Sequence, residues 1–165
     1  MSKTDLKKSI EKIVVNSGIG RLASQANFEE KVVPDVMKVF AMITGNKPAT
    51  RAAKQSIAGF KIREGAVVGV VTTLRGKRMV DFFYKIVNVV LPRIRDFRGI
   101  TLTSVDSAGN LNIGIKDYLV FPETNPESSK VNFGVQITAV PQRAMKDHAE
   151  AVAMYRSLGV PLKKK

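Results

Sequence analysis

Cysteine is absent from this chain of 165 residues, and histidine occurs once, at His148. Without thiols there is no disulfide framework and no thiolate nucleophile or metal ligand, which fits a reducing compartment. A lone histidine with no cysteine to join it completes neither a nucleophile–base dyad nor a zinc site. Carboxylates are scarce as well, 14 against 27 Lys and Arg. Adjacent ones such as Glu29 and Glu30 face apart on a helix and form no acid–base pair. No apolar run approaches the ~18 residues needed to cross a bilayer. The opening segment, MSKTDLKKSIEK, is polar and mixed in charge, without the hydrophobic centre of a secretion signal. These absences argue against an enzyme, a metalloprotein, a secreted scaffold and a membrane-spanning protein. They leave a cytoplasmic protein with no expected cofactor.

Positive charge is what the chain has in excess, a formal +13. A domain this basic carries the electrostatic footprint of a nucleic-acid binder, because each phosphate neutralised releases condensed counterions. The excess is also localised. Lys47, Arg51, Lys54, Lys61, Arg63, Arg75, Lys77 and Arg78 share their stretch with one acid, Glu64. Acids gather instead at Glu29, Glu30 and Asp35, and at Asp147 and Glu150, on segments that read as helices. General solubility or attraction to an anionic membrane would need no such segregation.

Hydrophobic spacing gives the elements. Residues 12–16 (KIVVN) read as a β-branched strand ending in the glycine turn SGIG. Asn27 and Glu30 have the spacing of a capping box ahead of Val32, Val33, Val36, Met37, Phe40 and Ile43 at helical spacing, with Gly45 as the stop. Pro34 either kinks that helix or opens its regular part. A strand is expected from Pro48 to Ala53, and residues 54–65 read as a long exposed loop. Residues 66–74 (AVVGVVTTL) suit a well-buried strand. From Gly76, the residues Met79, Phe82, Phe83, Ile86, Val87 and Val90 form one apolar helical stripe, stopped by Pro92. A hairpin over 102–115 turning at Ala108-Gly109-Asn110, a strand from Asn132 to Val140 and a helix over 144–158 complete the order. Strand-to-strand loops and a hairpin predict an α+β fold. The expected architecture is a mainly antiparallel sheet with helices on one face, in a single domain spanning 1–165 with a protruding loop at 54–65.

Two glycine motifs fail as nucleotide loops. After Gly18 and Gly20 the dinucleotide fingerprint has Ala23, and no βαβ unit surrounds it. Around Gly76-Lys77 a P-loop would need Gly at 71 and Ser or Thr at 78, where the chain has Val71 and Arg78. Gly18 and Gly20 then serve either positive φ at a strand end or the close approach of a phosphate to the backbone. In the 54–65 loop, Lys54, Lys61 and Arg63 are interleaved with Ser56, Gly59 and Phe60, which suits backbone contact with stacking on an unpaired base. The plain alternative is a solvated loop whose Ile57 and Phe60 fold back on the core. Arg93, Arg95 and Arg98 complement a helix C-terminus and could also meet RNA or an acidic neighbour. Lys163 to Lys165 read as a solvated basic end.

The segments KIVVNSGIG, TGNKPATRAAKQSIAGFKIREG, VTTLRGKRMVDFFYKIVNVVLPRIRDFRG and GNLNIGIKDYLVFPE resemble the bacterial large-subunit ribosomal protein five family, from about Lys12 to Leu162. The resemblance implies a 5S-rRNA-binding protein of the central protuberance, built on an antiparallel sheet with helices packed against it. It implies that Asn16, Gly18 and Gly20, then Asn46, Lys47 and Pro48, and then Thr73 and Arg75 lie toward 5S rRNA. Arg51 would add a phosphate contact beside Lys47. The loop with Lys54, Ser56, Gly59, Phe60, Lys61 and Arg63 would project toward the elbow of P-site tRNA. Arg95, Asp96, Phe97 and Arg98 would lie toward the small subunit, near its protein thirteen. 23S rRNA and neighbouring large-subunit proteins are the other implied partners, and a membrane is not among them. The chain departs from the family where VDSAGNL at 105–111 replaces FDGRGNY, where Asn46 replaces a glutamine, in the strand NFGVQITAV, and in having only about eleven polar residues before KIVVN.

Two other function classes compete. A basic enzyme acting on an anionic substrate would need a nucleophile–base pair, which the residues do not supply. A general DNA- or RNA-binding protein without a ribosomal role would be indifferent to RNA shape, and no groove-reading helix supports it.

Overall fold

A computed structural model describes residues 3–24, 27–60, 62–125, 131–145 and 147–163. Helix α1 (Lys3–Ser9) runs directly into strand β1 (Ile10–Gly18). The alternation of KIVVN continues through Ser17, which is buried, and Gly18, which is exposed, so the strand outlasts its β-branched run.

Helix α2 (Val33–Thr44) follows one wide, π-type turn over Phe28–Val32. Asn27 does not cap it, contrary to the capping-box spacing. Its backbone is left-handed, with φ 56°, and its side chain accepts no capping bond. Its main-chain carbonyl takes the Lys31 N–H instead, at 2.9 Å. Pro34 follows this widened turn, in which the Val33 N–H reaches back five residues to Phe28, and Gly45 (φ 67°) ends the helix as expected. Val36, Val39, Phe40 and Ile43 are almost fully buried, each worth about 1.5–3 kcal/mol of transfer free energy.

Strand β2 (Ala49–Ala52) pairs antiparallel with β3 (Val67–Leu74). The segment between them is more ordered than a loop without structure. Ala53 and Ala66 continue the ladder at 2.8 Å, Ile57 and Ile62 exchange backbone hydrogen bonds, and a short 3-10 turn over Ala58–Phe60 closes the end. The Ser56 Oγ accepts the Glu64 N–H at 2.9 Å across the pair. Backbone pairing thus extends the hairpin where hydrophobic periodicity gives no signal.

Helix α3 (Gly76–Lys85) passes through a second π-type turn, Ile86–Val90, into the short α4 (Leu91–Arg93). Pro92 therefore does not stop the helix. The Leu91 N–H reaches back to Ile86, five residues away, and the proline sits in the first turn after this widening. Met79, Phe82, Phe83, Ile86 and Val90 are buried, while Val87 lies at the edge of the stripe, half-buried.

Residues Leu102–Ser104 form a 3-10 turn and not a hairpin strand. Only Val105 bridges to Leu111, around a turn in which the Asp106 carboxylate accepts from the Ala108 and Asn110 N–H groups. Desolvation raises the pKa of that carboxyl, but the bonds from Asn110, Ala108 and Asn112 outweigh it and hold it below its ordinary range. Strands β4 (Leu111–Ile115) and β5 (Val135–Pro141) and helix α5 (His148–Ser157) follow.

The five strands form one antiparallel sheet in the order β2-β3-β1-β5-β4, and with the helices they make an α+β fold, as the sequence predicts. The chain forms two compact units. One holds Met1–Val14, Thr73–Gly114 and Gln136–Lys165, and the other holds Val15–Thr72 and Ile115–Val135. In the first, Tyr155 is fully buried, its hydroxyl shared between the carbonyls of Gly109 and Ala139, and desolvation pushes its pKa far above the tyrosine range. In the second, the Tyr118 and Phe133 rings stack at 4.6 Å.

Candidate nucleic-acid interface

Within the second unit, three strands bring their ends into one row. Arg51 of β2 lies opposite Gly69 of β3, and a Cβ on Gly69 would stand 3.2 Å from the Ser17 carbonyl of β1. Gly69 is thus the residue that lets β1 and β3 lie close. Between Arg51 and Ala52 the register slips, leaving Val68 without a partner on β2. The Val68 carbonyl instead accepts the Ile19 N–H at 2.9 Å. A bulge of this kind bends the strand and re-aims its side chains. Arg51 is exposed there.

The end of β1 is fixed from inside. The buried Ser17 donates its hydroxyl to the Gly134 carbonyl at 2.6 Å, and Ile19 is fully buried. Asn16 and Gly18 consequently face outward. Neither Gly18 nor Gly20 has a positive φ, so the left-handed backbone anticipated as their plainest explanation is not present. Gly20 makes ordinary van der Waals contact, its absent Cβ falling 3.5 Å from Ile62 Cδ1. Gly18 has nothing within 4 Å of that position.

After α2, the Thr44 hydroxyl donates to the Phe40 carbonyl at 2.8 Å and stands within 3.4 Å of the Asn46 N–H, which holds the turn. Lys47 is exposed, Asn46 half-buried, and Pro48 buried, so the proline anchors the link from within. Beyond β2, Lys54, Ser56, Gly59 and Arg63 are exposed. Ile57 is 49% exposed and does not fold back, whereas Ile62 does. Lys61 lies outside the described residues, as does the side chain of Phe60.

Thr73 and Arg75 belong to the first unit, both exposed, with Arg75 at the N-cap of α3. Lys77 and Arg78 occupy the first turn with no acid among them. Cations there add to the positive end of the helix dipole. Lys77 and Arg78 belong to the basic run but not to the site residues that the sequence singles out; the missing acids of the first turn are the signal that finds them. Arg95, Asp96 and Arg98 are exposed and Phe97 half-buried, in the turn after α4.

Among the described residues no three His, Asp or Glu side chains come together as metal ligands. His148 opens α5, its Nε2 3.1 Å from the Leu102 carbonyl, a contact that pins the helix end. Among the described residues no helix is long and apolar enough to cross a membrane.

These features define a basic α+β protein whose exposed cations sit on strand ends, turns and a hairpin. The sequence matches a family model described as "Ribosomal protein L5" over residues 7–63, and a second model, for the C-terminus of the same ribosomal family, over residues 67–162. A curated relative named "Large ribosomal subunit protein uL5" from Halothermothrix orenii is 45% identical, over 92% of this chain and 82% of its own length. Relatives of the same name from Spiroplasma kunkelii and Fusobacterium nucleatum are each 43% identical over 94% of this chain, covering 83% and 81% of their own. The chain belongs to the ribosomal protein L5 family, a structural family and not an enzymatic one.

Proposed function

We propose that this chain, a structural constituent of the large ribosomal subunit, clamps folded 5S rRNA and anchors it in the central protuberance. Gly18 is the observation that carries the reading. Its φ does not require glycine, and no neighbour within the protein would meet a side chain there. Its backbone is open to a partner that approaches closely. Asn16 shares that exposed face, and Lys47 and Arg51 supply phosphate contacts from the same unit, with Thr73 and Arg75 adding theirs from the other. Phosphate contacts give most of the affinity, while shape and backbone approach give selectivity.

The hairpin carrying Lys54 and Arg63 reaches toward P-site tRNA, and the Arg95–Arg98 turn faces the small subunit near its protein thirteen. 23S rRNA and adjoining large-subunit proteins complete the setting, in the cytoplasmic ribosome. A general nucleic-acid binder is the competing reading. Binding to 5S rRNA, an unrelated RNA and duplex DNA across a salt series separates the two. A preference for 5S rRNA that survives near-physiological salt is expected. Equal affinity for all three would defeat the proposal.

A further inference from the structure

A small cleft in the first unit holds none of the residues assigned above to RNA or to the small subunit. It encloses about 170 Å³ between the end of α1, the turn that follows β5 and α5. Its walls are tied to one another. The Gln142 N–H donates to the Ser9 carbonyl at 2.8 Å, which stitches the turn to the end of α1. Arg143 donates to the Glu150 carboxylate, which ties the same turn to the first turn of α5. Met145 packs its stem against the turn at Gly109, where a Cβ would stand 2.7 Å from its Cγ. The cleft is therefore preformed, as small-ligand sites usually are.

The apolar lining is sulfur. Met145 and Met154 are both half-buried, with Met154 one turn along α5 from Glu150. A thioether is soft and polarisable, and it makes favourable contacts with the edge of an aromatic ring. The polar lining has donors to spare. The Ser9 hydroxyl gives its one proton to the Asp5 carbonyl at 2.9 Å, and the Glu150 carboxylate accepts from Arg143. Lys8 brings an ammonium with three N–H groups, and Arg143 a guanidinium with five. Both side chains are exposed, so they can close over a ligand at the rim. A matching ligand supplies an acceptor, and two cations favour a charged one. Glu150 repels an anion on its own side, which leaves the Lys8 side for the acid group. The same cations favour the face of an aromatic ring. Size sets the rest. An engineered cavity of about 150 Å³ holds one benzene molecule, so this cleft takes a single ring and is too small for a nucleoside.

We propose that this cleft binds a small aromatic carboxylate, its ring against Met145 and Met154 and its acid group on Lys8 and the remaining N–H groups of Arg143. This goes beyond the ribosomal reading and does not require it.

The test titrates phenylpropionate into the full chain, with the methyl groups of its six methionines isotope-labelled for NMR. The salt is kept at about 0.15 M, where exposed charges are screened beyond about 8 Å. The Met145 and Met154 methyls should shift together and saturably, while those of Met37, Met42 and Met79 stay in place. Cyclohexylpropionate, which keeps the acid and loses the ring electrons, should bind at least about threefold more weakly. Phenylpropanamide, which keeps the ring and loses the charge, should weaken by a similar factor. Shifts spread over all the methyls, or none that saturates, overturn the site. Equal affinity for the cyclohexyl acid overturns the aromatic class, and equal affinity for the amide overturns the acidic one. Two variants then assign the contacts. Lys8→Gln should weaken phenylpropionate about threefold. Met154→Leu keeps the volume and removes the sulfur; read at the Met145 methyl, it should weaken phenylpropionate about threefold and leave cyclohexylpropionate unchanged. Wild-type affinity in both variants overturns the assigned contacts. Unshifted Met37 and Met79 methyls report an intact fold, and if either variant fails to fold, the ligand series on the unaltered chain still decides.

Discussion

Glycine at two positions shows how the same residue can serve opposite ends. Gly109 closes the turn capped by Asp106, at φ 83°, and a Cβ there would stand 2.7 Å from Met145 Cγ and 3.2 Å from Met145 Cβ. Its carbonyl also accepts from the buried Tyr155 hydroxyl at 2.9 Å. Gly109→Ala combines left-handed strain with a displaced Met145, so about 1–3 kcal/mol of stability should be lost in urea unfolding. Gly18 has neither constraint. Gly18→Ala should stay within about 0.5 kcal/mol of wild type in the same experiment. Its binding to 5S rRNA should nevertheless weaken about tenfold, a loss of ~1.4 kcal/mol, because a methyl group would hold the RNA off the backbone. A Gly18→Ala protein that binds as tightly as wild type would remove backbone approach as that glycine's role.

Elements are legible where one periodicity governs them. The buried stripe of α3, the β-branched run of β3 and the stops at Gly45 and Gly159 follow from side chains that the core sorts by spacing alone. Pro92 misleads because a wide turn upstream admits a proline that an unbroken α-helix would reject. The hairpin beyond β2 gives no pattern because its order resides in backbone bonds, as between Ile57 and Ile62, which sequence does not display. The pairing of the chain end beside Gly99 is invisible for a related reason, since it joins Ile100 to Leu162 across all of β4, β5 and α5. Of the candidate interface, the clustered cations can be read directly, but the openness around Gly18 cannot. The hairpin also carries a prediction at its own scale. Lys54, Lys61 and Arg63 replaced together by alanine should leave 5S rRNA binding within about twofold of wild type, because Ser56 and the paired backbone keep the element folded. Filter-retention of P-site tRNA on ribosomes carrying this variant should fall. Loss of 5S rRNA binding in its place would show that the hairpin serves the other RNA.

Over the whole molecule, charge sets a tension between folding alone and binding. A formal +13 on 165 residues, grouped rather than interspersed, repels itself in the compact state. Screening reaches about 30 Å at 0.01 M salt but only about 10 Å at 0.1 M. Raising sodium chloride across that range should therefore raise the Tm of the free protein, since the relief of repulsion is larger in the folded state than in the expanded chain. The same salt should weaken its complex with RNA, because counterion release drives that association. The two responses should have opposite signs in one buffer series, read by thermal unfolding and by RNA binding. Neutralising the exposed cations Lys47 and Arg51 with Gln should flatten both curves, as the charges that strain the free protein are the ones that hold the RNA. If salt lowered the Tm, self-repulsion would not govern the folded state; if the double variant flattened only the unfolding curve, these cations would be bystanders to RNA binding.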